Sequence, residues 1–143
     1  MLHLSQLAAK YLKVDYRALE TSVRDVFRVD VMTINRKKYV LVVHELTMYT
    51  LLLEAASCKT VEKTCKNIRE FCPWYTGAEI TLGKTSDRKI IGTVTEIRMT
   101  IEYLKQEHPP QELSAIINRM IFSILNYSTP DDCLQVYVKS CHQ

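Results

Sequence analysis

The sequence predicts an α+β fold, a small antiparallel sheet (a three-stranded meander plus one or two short strands) packed with about four helices. Three observations point there. Between Phe27 and Leu53 lie three runs dense in Val, Ile, Leu, Tyr and Thr, separated by short polar joints. From Val61 to Leu125 the apolar residues recur instead at helical spacing. Near the C-terminus Leu134, Val136 and Val138 alternate with Gln135, Tyr137 and Lys139, which suggests a last strand.

The N-terminal residues add an edge strand. Leu4, Leu7, Ala8, Tyr11 and Leu12 then form a helical stripe, so 5–13 reads as a short amphipathic helix with Ser5 at its N-cap. Asp15 to Asp25 is polar and mixed in charge, compatible with a weak helix or a connector.

The meander follows, with strands at Phe27–Ile34, Tyr39–His44 and Met48–Leu53. Its joints are Asn35-Arg36-Lys37-Lys38 and Glu45-Leu46-Thr47, short enough to make antiparallel neighbours. In Tyr39–His44 both alternating sets are apolar, as in a central strand covered on both faces.

Thr60 caps the next helix, whose inward stripe is Val61, Cys65, Ile68 and Cys72, and Pro73 ends it. Ile80-Thr81-Leu82 reads as a short strand, and Thr85-Ser86-Asp87 as a cluster of cap residues. Ile90, Ile91, Val94, Ile97, Ile101 and Leu104 make the clearest helical stripe in the chain. Pro110 opens a further helix that runs to about Tyr127. The whole, 1–143, reads as one α+β domain, a size that buries about two thirds of its unfolded surface.

Composition narrows the function classes. Apolar residues are 47% and charged residues 24%, the balance of a globular domain rather than a disordered chain. No stretch approaches the ~20 apolar residues of a membrane span, and the start has no basic, apolar leader pattern. Five cysteines, an odd number without extracellular context, suit reduced thiols and a cytoplasmic location, in the host cytoplasm if the protein is phage-encoded. The net charge of +3 is unevenly spread, its basic excess lying before residue 99, which permits a nucleic-acid or nucleoprotein partner.

Gly83-Lys84-Thr85 resembles the end of a phosphate-binding loop. The position that would need the first glycine is Ala78, so the loop is excluded. Cys58, Cys65 and Cys72 stand seven apart, two helical turns, which favours inward packing over zinc ligation; no metal and no cofactor is expected. His44 and Glu45 are adjacent on a strand and point to opposite faces, poor geometry for a dyad.

The cations are the stronger signal. Arg36, Lys37 and Lys38 sit at one hairpin, Lys84, Arg88 and Lys89 flank the start of the strongest helix, and Lys63, Lys66 and Arg69 line the outer face of another. Tyr39, Trp74 and Tyr75 are available to stack on bases.

Two segments together carry a resemblance. Phe27–Val43, FRVDVMTINRKKYVLVV, and Lys84–Glu96, KTSDRKIIGTVTE, resemble a family of small bacterial and phage proteins classed as a domain of unknown function. Asn35, Arg36, Lys37 and Lys38 match its N-R-[RK]-K turn. Thr85, Arg88, Ile90, Ile91 and Gly92 match its T-x-x-R-S-[VI]-[LI]-G helix start. The chain departs from it at Phe27-Arg28 and at Thr93-Val94-Thr95-Glu96, polar positions in the family. The resemblance implies an α+β fold and a bacterial or phage origin, and no activity.

The reading these observations support is a non-catalytic binding protein. Its expected partner is a host protein or nucleoprotein complex, or the RNA of such a complex, as for an antagonist of an RNA-guided defence system (an anti-CRISPR-like inhibitor). Two alternatives stay open. One is a small phosphodiesterase or nuclease acting on RNA or a cyclic oligonucleotide, with His44, Arg88 and Glu96 as its residues. The other is a homodimeric housekeeping protein that pairs through the edge of the meander or through the C-terminal strand.

Overall fold

The computed structural model describes residues 2–13, 26–74, 82–84 and 87–141. The stretches Asp15–Asp25 and Ile80-Thr81, together with Tyr75, Thr85 and Ser86, lie outside the described residues, as do the side chains of Lys84 and Cys141. The fold is α+β. Five strands, β1 (Leu2–Leu4), β2 (Phe27–Ile34), β3 (Lys37–His44), β4 (Thr50–Glu54) and β5 (Leu82–Lys84), form one sheet in the order β4-β3-β2-β1-β5. The meander β2-β3-β4 is antiparallel, as the short joints require, while β1 runs parallel to both β2 and β5. The sheet is therefore mixed rather than purely antiparallel.

The joints differ from expectation in opposite directions. The β2–β3 turn contracts to Asn35-Arg36, both in the left-handed region (φ 51° and 69°), as a two-residue hairpin turn of matching twist demands. Lys37 and Lys38 are thereby strand residues. The β3–β4 connection is longer than Glu45–Thr47, because Met48 takes a left-handed conformation (φ 57°) and drops into the core, fully buried. There Met48 N–H donates to the His44 carbonyl (2.7 Å), and β4 starts only at Thr50.

β3 is buried along Tyr39–His44, so the sheet needs cover on both faces. On one face Val29, Val40, Val42, Leu51 and Leu53 meet α1 (Gln6–Tyr11) and α2 (Val61–Phe71), through Ala8, Ala9, Cys65, Ile68 and Cys72. On the other, Met32, Ile34, Tyr39, Leu41 and Val43 meet α3 (Arg88–Leu104) and α4 (Pro110–Ile117), through Val94, Ile97, Ile101, Leu113 and Ile117. The helix starts are capped by side chains of the predicted residues: Ser5 Oγ accepts from Ala8 N–H (3.1 Å), Thr60 Oγ1 from Lys63 N–H (3.1 Å) and Asp87 Oδ1 from Lys89 N–H (2.9 Å).

Two expectations fail in the C-terminal third. The helix from Pro110 stops at Ile117, not near Tyr127. Asn118 then caps it, and the chain turns through a short 3₁₀ segment, Ser123–Leu125, with Asn126 and Tyr127 both left-handed. Met120, Ile124 and Leu125 of the expected helical stripe still pack on the core, which is why their spacing imitated a longer helix, but Ile121 is exposed and Phe122, outside that stripe, is buried in its place. The expected strand over Leu134–Lys139 is a helix, α5 (Pro130–Cys141). Pro130 opens it and Asp131 and Asp132 occupy its first turn, where carboxylates suit the positive end of the helix dipole. The apolar alternation does not survive: Val136 is exposed, while Leu134, Tyr137 and Val138 are part-buried at helical spacing. With no C-terminal strand, dimerisation through one has no basis.

Asn118 closes the edge of the sheet at β4. Its side-chain carbonyl accepts from Thr50 N–H (2.8 Å) and its amide donates to the Thr50 carbonyl (2.9 Å), all of it buried. One side chain thus stands in for a neighbouring strand. Asn118→Ala strands two buried backbone groups and is expected to lower stability by roughly 2–4 kcal/mol. Urea unfolding checks this, with a midpoint that falls at unchanged slope.

Candidate functional site

The cations singled out in the sequence do not form one surface. Lys63, Lys66 and Arg69 are exposed on α2, and Arg88 and Lys89 are exposed at the start of α3, on the opposite side of the sheet. Lys37 is ion-paired to Glu54 (2.9 Å) and lies over the Tyr39 ring, on the α3 side. Arg36 is exposed in the hairpin turn. Lys84 is in β5. Lys38 alternates to the α1 side and lies over the Tyr11 ring, 5.9 Å from its centroid.

His44, Arg88 and Glu96 are not brought together. His44 is fully buried among Phe27, Trp74 and Tyr137, with ring centroids about 5 Å apart, and accepts or donates at Nδ1 to the Thr47 hydroxyl (2.8 Å). Arg88 and Glu96 line a separate depression of about 410 Å³ with Lys89, Gly92 and Ser123. Trp74, a residue set aside for base stacking, is instead committed to this internal aromatic cluster.

A different site emerges where β1 ends. Along β2, β1 pairs only with Phe27–Val29, so among the described residues the outer edge of β2 has no strand neighbour beyond Val29. Ser5 N–H donates to the Val29 carbonyl (2.9 Å), which turns the chain into α1. Between α1 and this open edge runs a groove of about 550 Å³, lined by Lys10, Tyr11, Val31, Thr33, Lys38 and Arg98. The Tyr11 hydroxyl donates to the Ala55 carbonyl (2.6 Å), which fixes the ring in the wall. A second, smaller cavity of about 250 Å³ adjoins it, sharing Leu7 and Arg98 and adding Ser5, Gln6, Arg28 and Asp30.

Asp30 organises the junction. It is buried, and a carboxylate removed from water is tolerated only when its lone pairs are met. Oδ1 accepts from the Ser5 hydroxyl (2.6 Å) and from Val31 N–H (2.8 Å), and Oδ2 accepts from Arg98 Nη1 (3.0 Å). Arg98 itself is 39% exposed, so its guanidinium is pinned at one nitrogen and open to the groove at the rest. Nearby on the same face His3 Nδ1 meets Glu45 Oε1 at 2.9 Å, both buried, a tie from β1 to the end of β3. His3 Nε2 is buried and meets no hydrogen-bond partner among the described residues.

Lys10, Asp30 and Arg98 went unnoticed in the sequence, and so did His3. Asp30 carried a signal: a lone carboxylate between Val29 and Val31 in an otherwise apolar strand needs a cation from elsewhere in the fold. Arg98, beside the inward-facing Ile97 of α3, is that cation.

The cysteines follow the packing expectation. Cys58, Cys65 and Cys72 are buried, and burial raises all three thiols, Cys72 to about 12. Among the described residues no group of His, Cys, Asp and Glu is arranged to hold a metal ion. Also among them, no helix is long and apolar enough to cross a membrane.

Two outcomes are expected. At pH 8 iodoacetamide labels Cys133, which is part-exposed, and leaves Cys58, Cys65 and Cys72 unmodified until the protein is unfolded, as peptide mass mapping would read. Asp30→Ala removes three accepted hydrogen bonds from a buried site and is expected to cost about 1–3 kcal/mol in urea unfolding, more than Glu54→Ala at the exposed pair with Lys37.

Compared with known proteins, residues 74–133 match the model of a family described as a domain of unknown function (DUF6933). The match takes in α3 and α4 and contains the whole Lys84–Glu96 segment, while Phe27–Val43 lies outside it. No curated protein and no solved structure matches the chain significantly. Over residues 74–133 the chain is similar to that uncharacterised family.

Proposed function

We propose that this chain is a non-catalytic binding protein of bacterial or phage origin that takes a single RNA strand along the α1–β2 groove. The RNA belongs to a host nucleoprotein complex, and occupation of it blocks that complex, as an antagonist of an RNA-guided defence system would. The observation that carries the reading is the convergence of Lys10, Lys38 and Arg98, from three different elements, on one groove with an aromatic wall. Cations spaced along a groove track a phosphate backbone, and a held aromatic ring offers a face to a base. The Lys38 ammonium already rests over the Tyr11 ring, so a base and a phosphate would be met within one residue pair.

The phosphodiesterase alternative has less support, because its three residues lie apart.

The test is fluorescence anisotropy with a labelled single-stranded RNA of about ten nucleotides, titrated between about 50 and 200 mM salt. The double variant Lys10→Glu, Lys38→Glu is expected to weaken binding at least about tenfold. It should also flatten the dependence of log K on log salt by about 1.4, since each single-strand phosphate contact contributes ~0.7. Lys139→Glu on the exposed face of α5 is the control and should bind as the parent does. Absence of RNA binding at low salt, or equal binding by parent and double variant, overturns the reading.

A further inference from the structure

The open stretch of β2 gives the groove more than cations. We propose that the backbone of Thr33 pairs with the Watson–Crick edge of one base of the bound strand, so that the protein takes RNA through an unpaired base and not through phosphates alone; this rests on the RNA reading above. The period of the strand decides which backbone groups face the groove. The Val29 carbonyl accepts from Ser5 N–H (2.9 Å), so the backbone groups of Val29 point away from β3. Those of Val31 and Thr33, two and four residues on, point the same way. The hairpin agrees. A two-residue turn at Asn35-Arg36 makes Ile34 and Lys37 the hydrogen-bonded pair that closes it, which leaves Thr33 and Lys38 a pair without mutual bonds.

Val31 and Thr33 both line the groove, and Thr33 is exposed. Val31 N–H is already taken by Asp30 Oδ1 (2.8 Å). Among the described residues, the N–H and the carbonyl of Thr33 meet no partner. One donor and one acceptor thus stand side by side on a strand that the meander holds rigid. Every unpaired base offers the complement. Uracil donates from N3–H to the carbonyl and accepts at an oxygen beside it, and adenine does the same with N6–H and N1. A base already paired in a duplex has no such edge left. An added peptide strand suits the position less well, because it would also need the Val31 donor that Asp30 holds. Thr33 lies opposite Lys38, whose ammonium rests over the Tyr11 ring, so the paired base sits beside the cation and the aromatic wall that the strand already uses.

The experiment compares decauridine with the same strand built from 3-methyluridine. Both have the same phosphates and ring faces, and the methyl group removes the N3–H donor and blocks the edge. In competition against the labelled strand the methylated form is expected to bind at least about tenfold more weakly, the worth of one to two hydrogen bonds. Hydrogen exchange locates the contact on the parent protein. The Thr33 amide exchanges rapidly when free and is expected to slow when decauridine is bound, and not with the methylated strand. Equal affinity of the two strands, or a Thr33 amide that decauridine leaves unprotected, would sink this inference and leave the RNA reading standing. So would a protein that binds the mixed-sequence strand and ignores decauridine, because an amide pair accepts any base. Failure of every strand to bind would sink both readings.

Discussion

The burial of β3 on both faces is the constraint from which the rest of this structure follows. A strand with Val40 and Val42 on one side and Leu41 and Val43 on the other exposes apolar surface in both directions unless two helical layers cover it. The chain supplies α1 and α2 to one face and α3 and α4 to the other. Each layer buries side chains of this kind at about 1.5–3 kcal/mol apiece relative to exposure, which makes the sandwich the dominant stabilising feature. The same arrangement separates the basic clusters. Cations on the outer face of α2 and cations at the start of α3 end on opposite sides, whereas Lys10, Lys38 and Arg98 converge where the two layers meet the sheet edge.

The edge at β4 and the stretch of β2 past its pairing with β1 are handled differently, and that difference shapes the groove. At β4 the amide of Asn118 meets both backbone groups of Thr50, the first residue of the edge strand. At β2 the neighbour β1 is only three residues long, and the outer edge past Val29 faces a groove instead. Asp30 covers part of that edge by accepting from Val31 N–H, and the same carboxylate draws Arg98 in from α3. One buried acid thus satisfies an open backbone position and positions the central cation of the cleft.

Much of this was legible in the sequence. The meander, its central strand, the capped starts of α1, α2 and α3 and the inward cysteines all follow from local pattern, because period and capping chemistry act within a few residues. The C-terminal third misled where local pattern is ambiguous. Alternation over Leu134–Lys139 fits both a strand and one side of a helix, and Pro130 with Asp131 and Asp132 decided for the helix. Met120, Ile124 and Leu125 looked like a continued helix because a turn can deliver apolar side chains to the core just as well. The cleft was harder still. Lys10, Asp30, Lys38 and Arg98 are spread over four elements, and only the parallel pairing of β1 with β2 brings them into register. Single residues gave no hint of which cations would converge, since Lys37 and Lys38 are neighbours in sequence and face opposite sides.

That parallel pairing has a consequence for the order in which the molecule is assembled. The meander closes through two short loops, at little cost in chain entropy, and can form early. β1 must find β2 across more than twenty residues and β5 across nearly eighty, so the N-terminal strand is the late arrival. The cleft is bounded on one side by α1, which follows β1 directly. It therefore exists only once β1 has joined the sheet. In the native state β1 is held by three paired residues on each side, and its opening would dismantle the cleft while leaving the meander intact. Occupancy of the cleft and retention of the N-terminus are then one equilibrium, and a bound strand would be felt as protection of the backbone amides of β1.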